Sequence, residues 1–293
     1  MESYVKELMR LGAEQGVSLA TLTSMRVGGE AALALCPKDE QTLIEALRLC
    51  GEAGLPLMVL GNGTNVIASD KGYEGLIICL NKPWFAPIYR GRRVRVSAGM
   101  PLSAFILDNL AHGLRGLERL YGIPGSVGGA CAMNAGAYGG EIADCLRSVR
   151  ALERGEPLEL AVQREDMGYR KSPFSFPNRI VLEAEFELEP DDGSAEALLQ
   201  DCAKRRRDKQ PLEFPSAGST FKRPEGHFAG ALIEQCGLKG RRIGGASVSN
   251  KHAGFIINDR NATAEDVERL IELVRSTVLD KTGVLLECEV RRI

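Results

Sequence analysis

The stretch Gly122-Ile-Pro-Gly-Ser-Val-Gly-Gly-Ala-Cys-Ala-Met-Asn-Ala-Gly-Ala-Tyr-Gly-Gly140 packs seven glycines into nineteen positions. Glycine carries the largest backbone entropy cost of any residue, and in return it allows positive φ and close backbone approach. A flexible linker would be polar throughout, but Ile123, Val127, Met133 and Tyr138 are interleaved here. The pattern predicts an ordered coil moulded to a ligand. A shorter segment, Gly61-Asn-Gly-Thr-Asn65, follows directly on the apolar run Leu57–Leu60, so its N–H groups can face a phosphate. Taken alone it fits a tight turn equally well. The third glycine of the dinucleotide fingerprint is missing, so Rossmann-type binding is not supported. Two such cradles, about sixty residues apart, can hold one pyrophosphate between them, which suits FAD.

A chain of 293 residues is long enough for about two domains or three small ones. Its 44% hydrophobic and 26% charged residues sit at the globular average and suggest neither disorder nor a fibrous architecture. The formal charge of -2 gives no global attraction to nucleic acid or anionic membrane, so an anion has to be caught locally. The basic run KRRRDK (Lys204 to Lys209) reads as a solvated helix face or turn, with a phosphate-facing patch as the alternative. Eight cysteines are scattered singly, without a CxxC pair, and read as reduced, mostly buried thiols. The start, MESYVKELMRLGAEQG, lacks an apolar h-region, and no run of eighteen apolar residues occurs. A cytoplasmic location without an anchor is expected.

After an amphipathic first helix, Ala31 to Leu80 reads strand, helix, strand, glycine-rich loop, strand, a small α/β unit. From about Trp84 the pattern becomes α+β. Val94-Arg-Val-Ser alternates, a helix follows Pro101, Leu152-Glu-Arg-Gly-Glu-Pro-Leu158 is hairpin-like, and Ile180, Leu182, Ala184, Phe186 and Leu188 alternate as a strand with one buried face. A boundary near Pro190-Asp-Asp-Gly193 precedes a helix ending in the basic run before Pro211. In the last part Thr263-Ala-Glu-Asp266 caps a helix carrying Val267, Leu270, Ile271, Val274 and Val278 on one face and stopping at Gly283; a terminal strand, Val284 to Ile293, follows. These readings predict domains at 1–82, 83–192 and 193–293.

Three further segments can carry chemistry. Tyr169-Arg-Lys-Ser-Pro-Phe174 places a guanidinium at a turn before a proline-restricted residue. The bland reading is a surface cation; the functional one is a planar fork for a carboxylate or enolate. Pro215-Ser-Ala-Gly-Ser-Thr-Phe-Lys-Arg-Pro224 is a loop of hydroxyls, glycine and cations, in which serine is ordinarily a turn residue. No nucleophile elbow surrounds it and only three histidines exist, which disfavours a Ser-His-Asp hydrolase. In the last segment Glu287 and Glu289 point away from the face of Val284, Leu286, Cys288 and Val290, and the pattern alone does not choose between them. No metal-chelating spacing occurs.

In this order, Met25-Arg-Val-Gly-Gly29, VLGNGTNVIASDKGYEGLII, GIPGSVGGACAMNAGAYGGEI, YRKSPF, QPLEFPSAGSTFKRP, LIEQCGLKGRRIGGASVSNKHAGFIIN and GVLLECEVRRI resemble the UDP-N-acetylenolpyruvoylglucosamine reductase (UDP-N-acetylmuramate dehydrogenase) family over nearly the whole chain. The resemblance implies a mixed α+β and α/β fold: a two-part FAD-binding region of the vanillyl-alcohol-oxidase-like type plus a C-terminal α+β substrate domain. It implies an NADPH oxidoreductase with non-covalent FAD acting on a C=C bond, a peptidoglycan precursor being the product. The reaction it implies is ping-pong: NADPH would reduce FAD and leave, and hydride would then pass from flavin N5 to the enolpyruvyl C3. Arg170, Ser219 and Glu289 match the family's catalytic positions, which resolves the choice of acid. The resemblance implies that Arg170 and protonated Glu289 stabilise the enolate and that Ser219 delivers the proton to C2.

FAD contacts are expected from Arg26, Gly61, Asn62, Gly63, Thr64, Asn65, Ile123, Pro124, Gly125, Ser126, Gly128, Gly129, Gly136, Tyr138 and Arg291, and UDP-sugar contacts from Lys222 and Arg223. Thr64 stands where many relatives carry serine, and Arg223 where asparagine is common. The chain matches the shorter type, without the substrate-capping insertion. A monomer binding neither nucleic acid nor membrane is expected. A flavin oxidase of other substrates and a non-catalytic nucleotide-binding protein are the rival readings.

Overall fold

The computed structural model describes residues 2–177 and 179–293. Its helices are α1 (Glu2–Arg10), α2 (Leu19–Leu22), α3 (Glu40–Ala53), α4 (Leu102–Ala111), α5 (Val127–Met133), α6 (Ala195–Lys209), α7 (Ala229–Gln235) and α8 (Ala264–Thr282). The chain forms two compact units. One comprises Met1–Gln15, Leu33–Asn62 and Gly75–Arg205, the other Gly16–Ala32, Gly63–Glu74 and Arg206–Ile293.

The first unit has two apolar cores. In one, strands Leu57–Leu60 and Tyr73–Cys79 pair in parallel, from Leu57 opposite Leu76 to Leu60 opposite Cys79. Leu43, Ala46 and Leu49 of α3 close over Leu33, Leu35, Leu76 and Ile78, the apolar face that helical spacing predicts. Asp39 caps α3 by accepting from Thr42 N at 2.8 Å, and Gly54 ends it in the left-handed conformation. The predicted strand–helix–strand–loop–strand order is present.

The other core lies under an antiparallel sheet ordered Glu156–Ala161, Leu146–Glu153, Arg179–Glu187, Arg93–Ser97, Ile88–Arg90. The expected hairpin is closed by Arg154 and Gly155, at φ 53° and 86°, between the paired Glu153 and Glu156. That positive-φ pair matches the twist of the strands. One reading of this sheet is corrected. Ile180, Leu182, Ala184 and Phe186 do not share a buried face: Ile180 and Leu182 join the α3 core, while Ala184 and Phe186 join the core of Val94, Phe105 and Val149. The ladder shifts register between the Arg150–Glu183 and Ala151–Val181 pairs, and a bulge of this kind moves the side chains beyond it to the other face.

In the second unit, strands Ser216–Ser219, Phe255–Asn258, Ala246–Val248 and Arg242–Ile243 form an antiparallel sheet. Its core includes Ile256 with Val267, Leu270, Ile271, Val274 and Val278 of α8. Thr263 and Asp266 form the expected capping box and Gly283 is the left-handed C-cap. A second carboxylate, unforeseen from sequence, serves the same helix end: Asp70 accepts from Ala264 N at 2.8 Å and Glu265 N at 2.9 Å.

The terminal segment also departs from expectation, for Val284 to Ile293 is not one strand. Its first part pairs with the loop after Ser219, through Lys222 N to Glu287 O and Glu289 N to Thr220 O. Only Arg291–Arg292 is regular, pairing in parallel with Val66–Ile67. The segment changes partner at Val290, and that exchange breaks the ladder. Among the described residues no helix is long and apolar enough to cross a membrane.

Because Asp70 answers two of the unpaired N–H groups that begin α8, Asp70→Ala is expected to cost about 1–2 kcal/mol. Urea unfolding followed by circular dichroism checks it, and an unchanged midpoint would remove Asp70 from the account of the helix end.

Candidate functional site

The two glycine-rich segments meet. Asn62 Nδ2 donates to Pro124 O at 2.9 Å, and a side chain on Gly61 would collide with Ser126 Oγ. Gly128 is as tightly placed, since a Cβ there would lie 2.8 Å from Ala98 Cβ. Gly61 and Gly128 are therefore required by close packing, since neither position has room for a side chain. The Gly122–Gly140 segment is not all coil, as predicted, because its middle forms α5. Buried Ser126 is the N-cap, accepting from Gly129 N at 3.3 Å. A short helix forms here because Val127, Ala130 and Cys131 can be buried together, which outweighs the poor helix propensity of Gly128 and Gly129.

Of the other expected cofactor residues in this unit, Ile123 packs against the Phe105 core. Gly125 O accepts from Leu102 N at 2.9 Å. Tyr138 takes φ 53° and its carbonyl accepts from Arg119 at 2.7 Å. In the second unit Gly63 takes φ 61°, where a side chain would run into Leu22 O. Thr64 and Asn65 are half-buried, and Arg291 N donates to Asn65 O at 2.9 Å. Arg26 is exposed at φ 57°, its carbonyl accepting from Asn258 Nδ2 at 3.3 Å.

Tyr169 and Arg170 form the tip of a tight turn closed by Gly168 N to Lys171 O at 2.9 Å and Lys171 N to Gly168 O at 3.1 Å. Arg170 takes φ 55°, a region unfavourable for a side chain with a Cβ and held only where the surroundings impose it. Its guanidinium lies 5.1 Å from the Tyr169 ring centroid, and Nη2 donates to Gly136 O at 3.4 Å.

What imposes the turn is Asn134, which sequence reasoning passed over. Only 1% exposed, it ends α5 at φ 41°. Its Nδ2 donates to Gly168 O at 3.0 Å and to Glu141 at 3.1 Å, while Oδ1 accepts from Ala143 N at 3.1 Å. Ser172 and Ser175 hydroxyls add bonds to Ala132 O at 2.9 and 2.7 Å. The signal for Asn134 was its place before Ala-Gly, since asparagine tolerates the left-handed region better than most residues.

In the second unit, Ser219 is the last residue of a short strand opposite Phe255, so the predicted loop is partly strand. The residues after it run beside the terminal segment. Lys222 makes an ion pair with Glu287, whose side chain is 72% exposed, whereas Glu289 is half-buried. The two acids that the strand pattern left equal are thus separated by their surroundings. The Arg223 guanidinium stands 4.1 Å from the Phe228 ring centroid. Arg170 belongs to the first unit; Ser219, Lys222, Arg223 and Glu289 belong to the second.

The chain is 48% identical to UDP-N-acetylenolpyruvoylglucosamine reductase of Geobacillus kaustophilus, covering 99% of this chain and 97% of the relative. It belongs to the UDP-N-acetylenolpyruvoylglucosamine reductase family. A reductase of the same name from Geobacillus thermodenitrificans is 47% identical, over 92% of this chain and 89% of the relative. Residues 210–293 match the C-terminal domain described for UDP-N-acetylenolpyruvoylglucosamine reductase, and residues 31–160 match the FAD binding domain. The crystal structure of UDP-N-acetylenolpyruvylglucosamine reductase from Thermus caldophilus superposes with a TM-score of 0.80 at 32% identity, covering 96% of this chain and 97% of that one. The expected fold class, an FAD-binding region followed by a C-terminal α+β domain, holds.

The cradle fits that cofactor. Paired glycine-rich backbones, one leading into a capped helix, match a pyrophosphate. Cys131, the one thiol within the segment, is fully buried, and desolvation pushes it up to about 12, which leaves it unsuited to covalent attachment. Gly61→Ala is expected to press on Ser126 and open the contact between the segments. The variant should purify with little yellow colour while keeping wild-type circular dichroism; full FAD retention would show that the cradle tolerates the methyl group.

Proposed function

We propose that the chain catalyses the NADPH-dependent reduction of UDP-N-acetylglucosamine enolpyruvate to UDP-N-acetylmuramate, a step in peptidoglycan precursor synthesis. The observation that carries this reading is the pairing of the Gly61 and Gly122–Gly140 cradles in a chain of this family, with the Arg170 turn bonded to the same helix. Bound FAD supplies the hydride relay from NADPH to the enolpyruvyl C3; the protein's residues manage charge and the proton.

Hydride addition at C3 moves negative charge onto the carboxylate as an enolate. Arg170 presents a planar fork suited to two carboxylate oxygens, which a lysine cannot match. The left-handed turn fixes the direction of this fork before substrate arrives, and charge stabilisation of this kind works best when no reorganisation is needed. Glu289, as a protonated acid, donates a hydrogen bond to the same developing charge. Ser219 delivers the proton to C2. Its hydroxyl is a weak acid, but an enolate is a strong enough base to take the proton from a correctly placed donor. Lys222 and Arg223 meet the diphosphate of the UDP-sugar, with Arg223 as a charged replacement for the amide common at that position.

The domain limits 1–82, 83–192 and 193–293, a cytoplasmic location and a monomeric state belong to the same proposal. So do the individual FAD contacts of Arg26, Gly61 to Asn65, Ile123 to Ser126, Gly128, Gly129, Gly136, Tyr138 and Arg291.

Arg170→Lys tests the fork: retention of charge without bidentate geometry is expected to lower turnover by about 2–4 kcal/mol, roughly 30- to 1,000-fold, and activity within twofold of wild type would remove Arg170 from the mechanism. Ser219→Ala separates the half-reactions. Under anaerobic stopped flow, bleaching of the flavin by NADPH should keep its wild-type rate. Reoxidation by the enolpyruvyl substrate should slow by about two to four powers of ten. Equal slowing of both would assign Ser219 a structural role, and unimpaired reoxidation would assign the proton to another donor.

A further inference from the structure

Seven of the eight cysteines are buried or half-buried, and Cys36 alone is exposed. It follows directly on the strand Glu30–Leu35, and Cys79 is the last residue of the neighbouring strand Tyr73–Cys79. The two strands run the same way. Gly72 lies against the Glu30 backbone at their beginnings, where a side chain on Gly72 would collide with Glu30 O, and at their ends Cys36 and Cys79 share the sheet face opposite the one on which Leu33, Leu35, Leu76 and Ile78 meet α3. Adjacent strands are about 4.8 Å apart, within the Cα separation of about 4.4–6.8 Å that a disulfide accepts. One thiol thus faces solvent while its partner, 4% exposed, waits behind it.

We propose that Cys36 and Cys79 are a peroxide-sensitive dithiol, with Cys36 the attacking sulfur and Cys79 the resolving one. The neighbouring Cys79 thiol is the first cause that lowers Cys36 to about 6, and the Lys82 cation adds to it. Cys79 is raised in turn, by the Cys36 thiol beside it and by burial. Burial raises Cys50 and Cys145 to about 11, so these thiols are inert by comparison.

The oxidant is hydrogen peroxide. The Cys36 thiolate attacks one peroxide oxygen, the O–O bond breaks, and the departing hydroxide takes a proton to become water. The sulfenic acid left on Cys36 is attacked by Cys79 sulfur, which gives up its proton; the S–O bond breaks, a second water leaves and the S–S bond forms. Two thiols lose two electrons and one peroxide becomes two waters.

The test uses the purified full-length protein with its FAD, treated with hydrogen peroxide and mapped by peptide mass spectrometry. Expected are the loss of two hydrogens from the intact mass and a linked pair of peptides containing Cys36 and Cys79. The pH profile of Cys36 alkylation in untreated protein should have its midpoint near 6 and move toward the ordinary thiol value of about 8.5 in Cys79→Ala. In that variant peroxide should leave a Cys36 sulfenic acid that a dimedone probe captures. The proposal is overturned if wild-type protein accumulates oxygenated Cys36 with Cys79 still alkylatable, or if it forms only a Cys36-linked dimer. Should Cys79→Ala fail to fold, the wild-type peptide map decides alone.

Discussion

The contact between Gly61-Asn62 and Pro124–Ser126 is the constraint on which the site depends. Neither segment could form the cradle alone, since each would expose a row of main-chain donors on a turn too short to be stable by itself. Two parallel strands set the first segment in place, as Leu60 and Cys79 pair where Gly61 begins. The second is set by Ser126, whose one hydroxyl caps α5 and fills the space that Gly61 leaves vacant. A glycine and a serine more than sixty residues apart are thus one packing unit, and the apolar cores on either side hold them together.

α5 carries this constraint onward. Its first turn faces the cradle and its last residue grips the Arg170 turn through buried Asn134. The cation proposed to meet the enolate is therefore tied to the surface proposed to hold FAD by one helix of seven residues. Three residues with side chains adopt positive φ along this path, Asn134, Tyr138 and Arg170. Such strain is tolerated when many neighbouring bonds over-determine the conformation, and the bonds from Asn134, Ser172 and Ser175 supply them.

Much of this was legible in the sequence, and what was not has physical reasons. Periodicity located α3 and α8 because each buries one stripe of side chains against a single layer. Turn chemistry located the hairpin at Arg154-Gly155. Periodicity failed for Ile180 to Phe186, where a bulge divides one alternating set between two cores, a long-range event with no local signature. It failed again for the terminal segment, which keeps its alternation while exchanging hydrogen-bond partners. In α5, small buried residues outweighed glycine content, so composition misled where burial decided. The catalytic candidates, Glu289 over Glu287 included, were chosen by resemblance, and the structure adds only that Glu287 is exposed and Glu289 half-buried. Asp70 serves residues far along the chain and no pattern of spacing marks it, while Asn134 serves a turn more than thirty residues on and is marked only by the Ala-Gly that follows it.

The double fastening of α5 makes its length a fixed dimension. Each added residue advances a helix by about 1.5 Å and turns it by about 100°. One insertion or deletion between Ser126 and Asn134 would swing the Asn134 amide away from Gly168 while Ser126 stayed seated against Gly61. Substitutions of similar volume inside the helix leave the span intact. Between its fastened ends this segment can therefore exchange residues of similar volume, Gly128 excepted, but cannot change its count, and a gap falling there in a related chain would mark a protein that has given up the Arg170 turn.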